Sequence, residues 1–254
     1  MSDCTYRLSL PPFSEHPRVA TLVRQPMPGI DPKLLAYVIY RCVVGSRAYG
    51  LDDTKSDTDT RGFFLPPAEL HWSLAGAPEQ LEDAEADVVF WEAEKFVRLA
   101  LKGNPNVLEC LYTPLIEHAT PLARELLDMR DRFLSRRVYH TYNGYVQSQF
   151  KKLQTDLRNT GEIKWKHVMH LLRLLKSGIT LLKEARVVVN VGEDRDRLLA
   201  VRRGEVSFLE CETLWLKLRE EFDLAFAGTN LPEYPDEEAA SAWLIRARRA
   251  MVAE

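Results

Sequence analysis

The sequence predicts an α+β protein, in which a small mixed β-sheet domain is followed by a helical domain. Runs rich in β-branched and aromatic residues, typical of strands, occur at Tyr37–Val44, Arg61–Leu65 and Asp87–Trp91. From Glu92 onward the apolar residues recur at helical spacing, and helices dominate the rest of the chain. The composition, 46% hydrophobic and 28% charged, is that of an ordinary globular protein.

Prolines and acidic residues mark the segments that flank the three predicted strands. Five prolines before residue 30 leave room for little more than a short strand at Tyr6–Leu10. Pro66 and Pro67 end the second predicted strand. The acidic stretch Glu79–Asp87, which precedes the third strand, is predicted to be a solvated loop.

The helical half is predicted from apolar periodicity. A boundary between residues 115 and 135 divides the chain into a sheet domain, 1–120, and a helical domain, 121–254. Helices are predicted at Leu122–Met129, Arg137–Leu157, Ile163–Glu184, Cys211–Phe226 and Asp236–Ala253.

Charge and cysteine content exclude several classes of protein. The net charge of −3 and the isoelectric point near 6.1 give no overall attraction to nucleic acid, so any such contact needs a local basic surface. The four cysteines show no C-x-x-C spacing, and we expect them to be reduced. No apolar run is long enough for a bilayer, which indicates a cytoplasmic protein without a membrane partner.

The stretch Gly45–Gly62, GSRAYGLDDTKSDTDTRG, concentrates the residues that could carry chemistry. Asp57 and Asp59 are two residues apart, so at the start of a strand they would project to the same side. Two carboxylates this close repel each other unless a cation lies between them. Mg²⁺ prefers such oxygen ligands together with water and substrate phosphates. The pair therefore predicts a metal site.

Gly45 and Ser46 stand where the first predicted strand ends. A glycine there lets backbone amides approach an anion, and the serine hydroxyl adds a donor. If Arg47–Leu51 form a helical turn, its amino end would also favour phosphate. Glycine, serine and aspartate are also common in turns, so the alternative interpretation is an ordinary loop without a binding role.

This stretch resembles the signature of the DNA polymerase β-type nucleotidyltransferase superfamily, in which Gly-Ser precedes an Asp-x-Asp or Asp-x-Glu pair on the next strand. Together with Glu92–Glu109, EAEKFVRLALKGNPNVLE, it is similar to bacterial and phage proteins described as predicted nucleotidyltransferases of an RNA repair pathway. The similarity covers roughly residues 38–185. It implies a fold like that of polymerase β and a catalytic site with three acidic residues.

The resemblance also implies where the third carboxylate lies. Asp87, which opens the third strand, is the preferred candidate beside Asp57 and Asp59. Glu92 and Glu94 are the alternatives, although acidic residues there suit the start of the next helix. The three aspartates would be both the catalytic residues and the ligands of Mg²⁺ or Mn²⁺.

Cationic candidates occur on the predicted helix Ile163–Glu184. Lys166, His170 and Arg173 follow at steps of four and three residues and so share one helix face. A solvent-exposed basic face is the alternative, but the resemblance favours contact with the triphosphate, as it does for Gly45 and Ser46. Weaker candidates are Asn104 and Glu109 at the nucleotide pocket, and Lys151 and Lys152 for phosphate or the RNA backbone.

The predicted function is transfer of a nucleoside monophosphate from a nucleoside triphosphate to an acceptor hydroxyl, with release of pyrophosphate. The resemblance implies an RNA 3′ end as acceptor. A protein hydroxyl is chemically equivalent and stays open as an acceptor, and a non-catalytic nucleotide-binding module is a further alternative.

Overall fold

The computed structural model describes residues 30–54 and 56–252, so the strand predicted at Tyr6–Leu10 lies outside the described residues. The strands are β1 Val38–Val44, β2 Asp59–Phe64, β3 Gln80–Asp83, β4 Val88–Glu92 and β5 Ile116–Ala119. The helices are α1 Pro32–Leu35, α2 Gly45–Tyr49, α3 Ala68–Trp72, α4 Ala93–Leu101, α5 Pro105–Tyr112, α6 Pro121–Asp128, α7 Arg137–Thr160, α8 Trp165–Glu184, α9 Arg195–Arg202, α10 Phe208–Gly228 and α11 Glu237–Ala250. The α+β prediction is confirmed.

The five strands form one mixed sheet in the order β3-β4-β2-β1-β5. Strands β2 and β4 are parallel, and the other neighbouring pairs are antiparallel. The residues of β1 are almost all buried, in agreement with its apolar sequence VIYRCVV. Because β2 and β4 are parallel, their first residues lie at the same end of the sheet. The antiparallel strand β1 has its last residue at that end.

The two outer strands differ from the sequence prediction. Residues 80–83 were expected in a loop, and this was wrong: they form β3, in which Leu81 and Asp83 are buried while Gln80 and Glu82 are exposed. Strand β5 was not predicted. Both are edge strands of four residues, and edge strands tolerate charged side chains that would be unusual in a central strand.

The five helices predicted after residue 120 are found close to their predicted bounds, whereas α9 was not predicted. Helices α7 and α8 are joined by a short turn and pack together, and α10 packs on α8. Helix α11 packs on the sheet half, where the Trp243 ring meets the Phe63 ring edge to face at 6.0 Å between centroids. One large hydrophobic core therefore extends through both halves. The division at residue 120 stays a prediction.

No helix within residues 30–54 and 56–252 combines the length and the apolar character needed to cross a membrane.

Candidate active site

Two aspartates lie side by side where the neighbouring parallel strands β2 and β4 begin. Asp59 is the first residue of β2, and Asp87 immediately precedes β4. The Thr60 amide donates to the Asp87 carbonyl at 3.0 Å, which fixes the register between the two strand ends. The Asp59 and Asp87 side chains are then close enough to share a hydrogen bond.

Asp87 is held in an unusual backbone conformation. Its φ of 51° lies in the left-handed region, which among non-glycine residues is most easily adopted by Asn and Asp. The Arg61 guanidinium donates to the Asp87 carbonyl at 2.6 Å and to its Oδ1 at 2.7 Å. Arg61 therefore fixes both the backbone and the carboxylate of Asp87.

The pKa values of the two carboxyl groups are shifted in opposite directions. Burial, followed by the hydrogen bond to Asp87 and the charge of that residue, raises the pKa of Asp59 to about 6. The hydrogen bond from Asp59, followed by the contact with Arg61, lowers the pKa of Asp87. The charges of the two neighbouring carboxylates repel each other, and a cation bound between them would relieve that repulsion.

Gly45 completes this corner of the site. A Cβ atom at position 45 would lie only 1.7 Å from Asp59 Oδ2, and the residue has a φ of 67°. Glycine is therefore required both by the backbone conformation and by the space that the carboxylate takes. Ser46 follows in the first turn of α2, and its carbonyl accepts from the Leu51 amide at 2.8 Å, beyond the end of the helix.

Asp57 lies in the loop before β2 and is exposed. The Arg47 side chain donates from Nε to the Asp57 carbonyl at 3.3 Å and from Nη2 to the Ser56 carbonyl at 2.8 Å. In the part of the chain that the structure describes, no three His, Cys, Asp or Glu side chains are grouped closely enough to hold a metal ion. The structure thus brings Asp59 and Asp87 together and leaves the Asp57 carboxylate apart from them.

The alternative third carboxylates have other partners. Glu92 is the N-cap of α4, where its Oε2 accepts from the Glu94 amide at 2.7 Å. Glu94 pairs with Arg98 at 2.6 Å and with Arg248 at 2.6 Å. Their predicted place at the start of a helix is confirmed. Likewise, Asn104 is the N-cap of α5.

Arg173 is buried in a network that joins α8 to α2 and α5. Its Nη1 donates to Glu109 Oε1 at 2.7 Å, and the Tyr49 hydroxyl donates to Glu109 Oε2 at 2.6 Å. The guanidinium carbon also lies 3.7 Å from the centre of the Tyr49 ring. Desolvation opposes the charge of Arg173, but the neighbouring Glu109 outweighs it and raises the pKa of the guanidinium. Arg173 therefore contacts the helix that carries Ser46.

Lys166 and His170 lie on α8 between this network and the carboxylate pair. The Lys166 side chain is exposed, and its charge acts on both Asp59 and Asp87. The His170 ring contacts the Tyr49 ring edge to face at 6.3 Å between centroids. Burial and then the charges of Arg173 and Lys166 lower the pKa of His170 to about 3, so the imidazole is neutral at physiological pH.

Three contacts that were not predicted from the sequence hold the chain at the end of α2. The Tyr49 carbonyl accepts from the Val191 amide at 3.0 Å. The next two carbonyls, of Gly50 and Leu51, accept from Arg195 at 2.8 Å and from Arg202 at 3.0 Å. The sequence has no signal for these contacts, because they join residues more than 140 positions apart.

Two curated proteins are similar in sequence to part of this chain. The chain is 28% identical over 142 residues to "Uncharacterized protein YcgL" of Bacillus subtilis, covering 54% of this chain and 53% of that protein. It is 23% identical over 151 residues to "Uncharacterized protein MJ0002" of Methanocaldococcus jannaschii, covering 57% and 60%. The chain thus matches little more than half the length of these curated relatives. No solved structure matches it.

A sequence model of the family described as RlaP, RNA repair pathway DNA polymerase beta family, matches residues 23–246. This range contains the Gly45 corner, both members of the carboxylate pair and the helices that pack against them. The chain belongs to the RNA repair pathway DNA polymerase beta family.

Proposed function

We propose that this protein transfers a nucleoside monophosphate from a nucleoside triphosphate to the 3′ hydroxyl of an RNA. The observation that carries the proposal is the contact between the Asp59 and Asp87 carboxylates beside the Gly45–Ser46 corner. Membership of the family supports polymerase β-type nucleotidyl transfer as the reaction class.

The carboxylate pair has the ligand chemistry of a site for Mg²⁺ or Mn²⁺. Two adjacent carboxylates offer hard oxygen ligands and excess negative charge. Asp59 and Asp87 would hold the cation, and Asp57, whose carboxylate lies apart from the pair in this structure, is the third carboxylate predicted from the sequence. When bound, such a cation lowers the pKa of an attacking hydroxyl and neutralises charge on the phosphates.

The other residues of the site would bind and orient the nucleotide. Gly45 leaves space for the Asp59 carboxylate, and Ser46 offers a hydroxyl and an amide to the β- and γ-phosphates. Lys166, exposed beside the carboxylates, would neutralise the triphosphate. His170 and Arg173 both contact Tyr49, so we assign them to positioning the α2 corner that meets the phosphates.

The reaction needs no protein nucleophile. The acceptor oxygen forms a bond to the α-phosphorus while the bond from that phosphorus to the oxygen bridging to the β-phosphate breaks. The electron pair of the broken bond leaves with pyrophosphate, and the hydroxyl proton of the acceptor passes to water. Positioning and neutralisation of charge carry such phosphoryl chemistry.

The test is transfer of label from nucleoside triphosphates that carry ³²P at the α-phosphate. The protein is incubated with each of them, with Mg²⁺ or Mn²⁺, and with either RNA or total cell protein. We expect label in RNA, and we expect Asp59→Asn and Asp87→Asn to abolish it. Asp128→Asn is the matched control, because this aspartate is exposed on α6.

Other results of this experiment would change the proposed acceptor, the proposed activity or the assigned residues. Label in protein instead of RNA would identify a protein hydroxyl as the acceptor. Nucleotide binding without label in either polymer would indicate a non-catalytic binding module. Label that survives Asp59→Asn would refute the assignment of the carboxylate pair, and Asp57→Asn tests the third carboxylate separately.

A further inference from the structure

The hairpin formed by α7 and α8 carries a concentration of positive charge close to the carboxylate pair. Residues 147–166 contain five lysines and arginines and two acidic residues, a local charge of +3 in a chain whose net charge is −3. Asp156 is the one acidic residue in the sequence of α7. The basic surface that nucleic-acid contact would require is therefore found here.

The basic residues of α7 share one exposed face. At 100° per residue, Lys151, Lys152 and Arg158 fall within the same arc of the helix, opposite the buried Leu153. Neutral side chains that can hydrogen-bond lie between them. The α7 basic face is formed by Gln147, Lys151, Lys152, Thr155, Arg158 and Asn159, all of them exposed.

This face begins beside the candidate active site. Helix α7 ends at Thr160 and α8 begins at Trp165, so the end of α7 is close to the first turn of α8. That turn contains Lys166, and one turn further on the His170 ring contacts Tyr49 of α2. From Thr160 back to Gln147 the face extends about 20 Å away from the site.

The helix dipole does not account for this arrangement. A cation in the last turn of a helix complements the partial negative charge there, and Arg158 has that position. Lys151 and Lys152 are two or more turns from the helix end, where the effect has faded. The mixture of cations with amides and hydroxyls is instead the chemistry that contacts phosphates and sugars of nucleic acids.

We propose that the α7 basic face binds the phosphate backbone of a single-stranded RNA and leads its 3′ end to the carboxylate pair. This inference rests on the proposed function, since it names where the acceptor of that reaction docks. The contacts are with phosphate and sugar, so they hold the strand without reading its sequence.

The test measures binding without catalysis, by fluorescence anisotropy of a fluorescein-labelled 12-nucleotide single-stranded RNA over a range of KCl concentrations. No triphosphate or divalent cation is present. The variant is Lys151→Gln/Lys152→Gln/Arg158→Gln. The control is Lys33→Gln/Lys217→Gln/Arg249→Gln, which removes the same charge from three exposed residues on other elements. Thermal unfolding establishes that both variants are folded.

We expect the α7 variant to bind about tenfold or more weakly at low salt, and the control to bind like the wild type. The slope of log K against log salt concentration should become shallower by about 2, because each lost phosphate contact on a single strand contributes about 0.7. Equal binding by the α7 variant and the wild type would overturn the proposal, as would an equal loss in the control. Displacement of the RNA by polyglutamate as readily as by unlabelled RNA would also overturn it, in favour of an acidic protein.

The assay separates this inference from the proposed function. Loss of RNA binding in the α7 variant, in a protein that transfers no nucleotide, would support the RNA surface and refute the reaction. Transfer of label with RNA binding unaffected by the α7 substitutions would support the reaction and refute the surface. In an active protein we expect the α7 variant to raise the KM for RNA and to leave the KM for the triphosphate unchanged.

Discussion

Gly45 lies so close to Asp59 that any side chain at position 45 would have to displace the Asp59 carboxylate. A Cβ atom on residue 45 would be 1.7 Å from Asp59 Oδ2 and 2.6 Å from its Cγ. In the antiparallel pairing of β1 with β2, Asp59 is opposite Val44, so the contact follows from the strand register. The glycine thus fixes where the carboxylate can lie.

We expect Gly45→Ala to abolish most activity while the protein still folds. The new methyl group must displace the Asp59 carboxylate, and a misplacement of about 1 Å in an active site can cost about 100-fold in rate. The left-handed backbone adds about 1–2 kcal/mol of strain. The measurement is transfer of labelled nucleotide together with the free energy of unfolding.

Gly76→Ala is the matched control for this prediction. Gly76 has a φ of 66°, close to the 67° of Gly45, but a Cβ atom there would meet nothing within 4 Å. It should show the same backbone strain with full activity. Comparable activity in the two variants would contradict the role assigned to the Gly45–Asp59 contact.

A second prediction concerns Asp59→Asn and thermal stability. The pKa of Asp59 is raised in the folded protein, so this group stabilises the fold at low pH and loses that contribution as the pH rises through about 6. Asparagine cannot ionise. Without divalent cations the variant should therefore gain stability relative to the wild type as the pH rises from about 4 to about 6.

Divalent cations should reverse this order. Mg²⁺ or Mn²⁺ bound to the folded state raises the unfolding temperature of the wild type with increasing concentration. Asp59→Asn should lose most of that rise, whereas Asp128→Asn should keep it. An equal cation-dependent rise in the wild type and in Asp59→Asn would place the bound cation elsewhere.

The predictable parts of the fold are those specified by local pattern. The central strands β1, β2 and β4 contain runs of β-branched and aromatic residues, and the long helices show a clear helical period, so both were predicted close to their observed bounds. The edge strands β3 and β5 contain charged residues and are short, so their pairing depends on neighbours that lie far away in the sequence.

The candidate site likewise has one part that can be predicted from local sequence and one part that depends on distant residues. Gly45 directly follows the last residue of β1 and Asp59 is the first residue of β2, so their proximity follows from the antiparallel pairing of the two strands. The Arg173 side chain was predicted to share a face with Lys166, but its direction depends on Glu109, 64 residues earlier. Helical spacing places a residue on a face and says nothing about a partner from another element.

The Arg173–Glu109 ion pair leads to a third prediction. The two side chains are only 9% and 3% exposed, so removal of one charge leaves the other buried without compensation. Glu109→Gln should lower the free energy of unfolding by about 3–5 kcal/mol. Urea denaturation of the wild type and the variant measures this loss.

An exposed ion pair and a double variant test the same contact. Glu221 pairs with Lys183, and their side chains are 40% and 50% exposed, so Glu221→Gln should cost about 1 kcal/mol or less. Arg173→Met/Glu109→Leu removes both buried charges and should cost less than the two single substitutions together. Additive losses would show that the two charges do not depend on each other.

The last prediction concerns His170 and pH. Burial, with the charges of Arg173 and Lys166, lowers the pKa of His170 to about 3 in the folded protein, whereas an unfolded histidine has a pKa near 6.5. Between these values the unfolded state binds the extra proton, so acid favours unfolding. The wild type should therefore lose about 1.4 kcal/mol per pH unit, relative to His170→Gln, as the pH falls from about 6 to 4.

Comparing the two proteins isolates this effect, because Asp59 and the other carboxyl groups titrate in both of them. The measurement is urea unfolding at half-unit steps of pH. His140, which is exposed on α7, provides the control, and His140→Gln should follow the wild-type curve. If the curves of the wild type and His170→Gln ran parallel, the imidazole would be able to take up a proton in the folded state. Burial and the charges of Arg173 and Lys166 would then not keep it neutral, and its role beside the phosphates would be that of a cation.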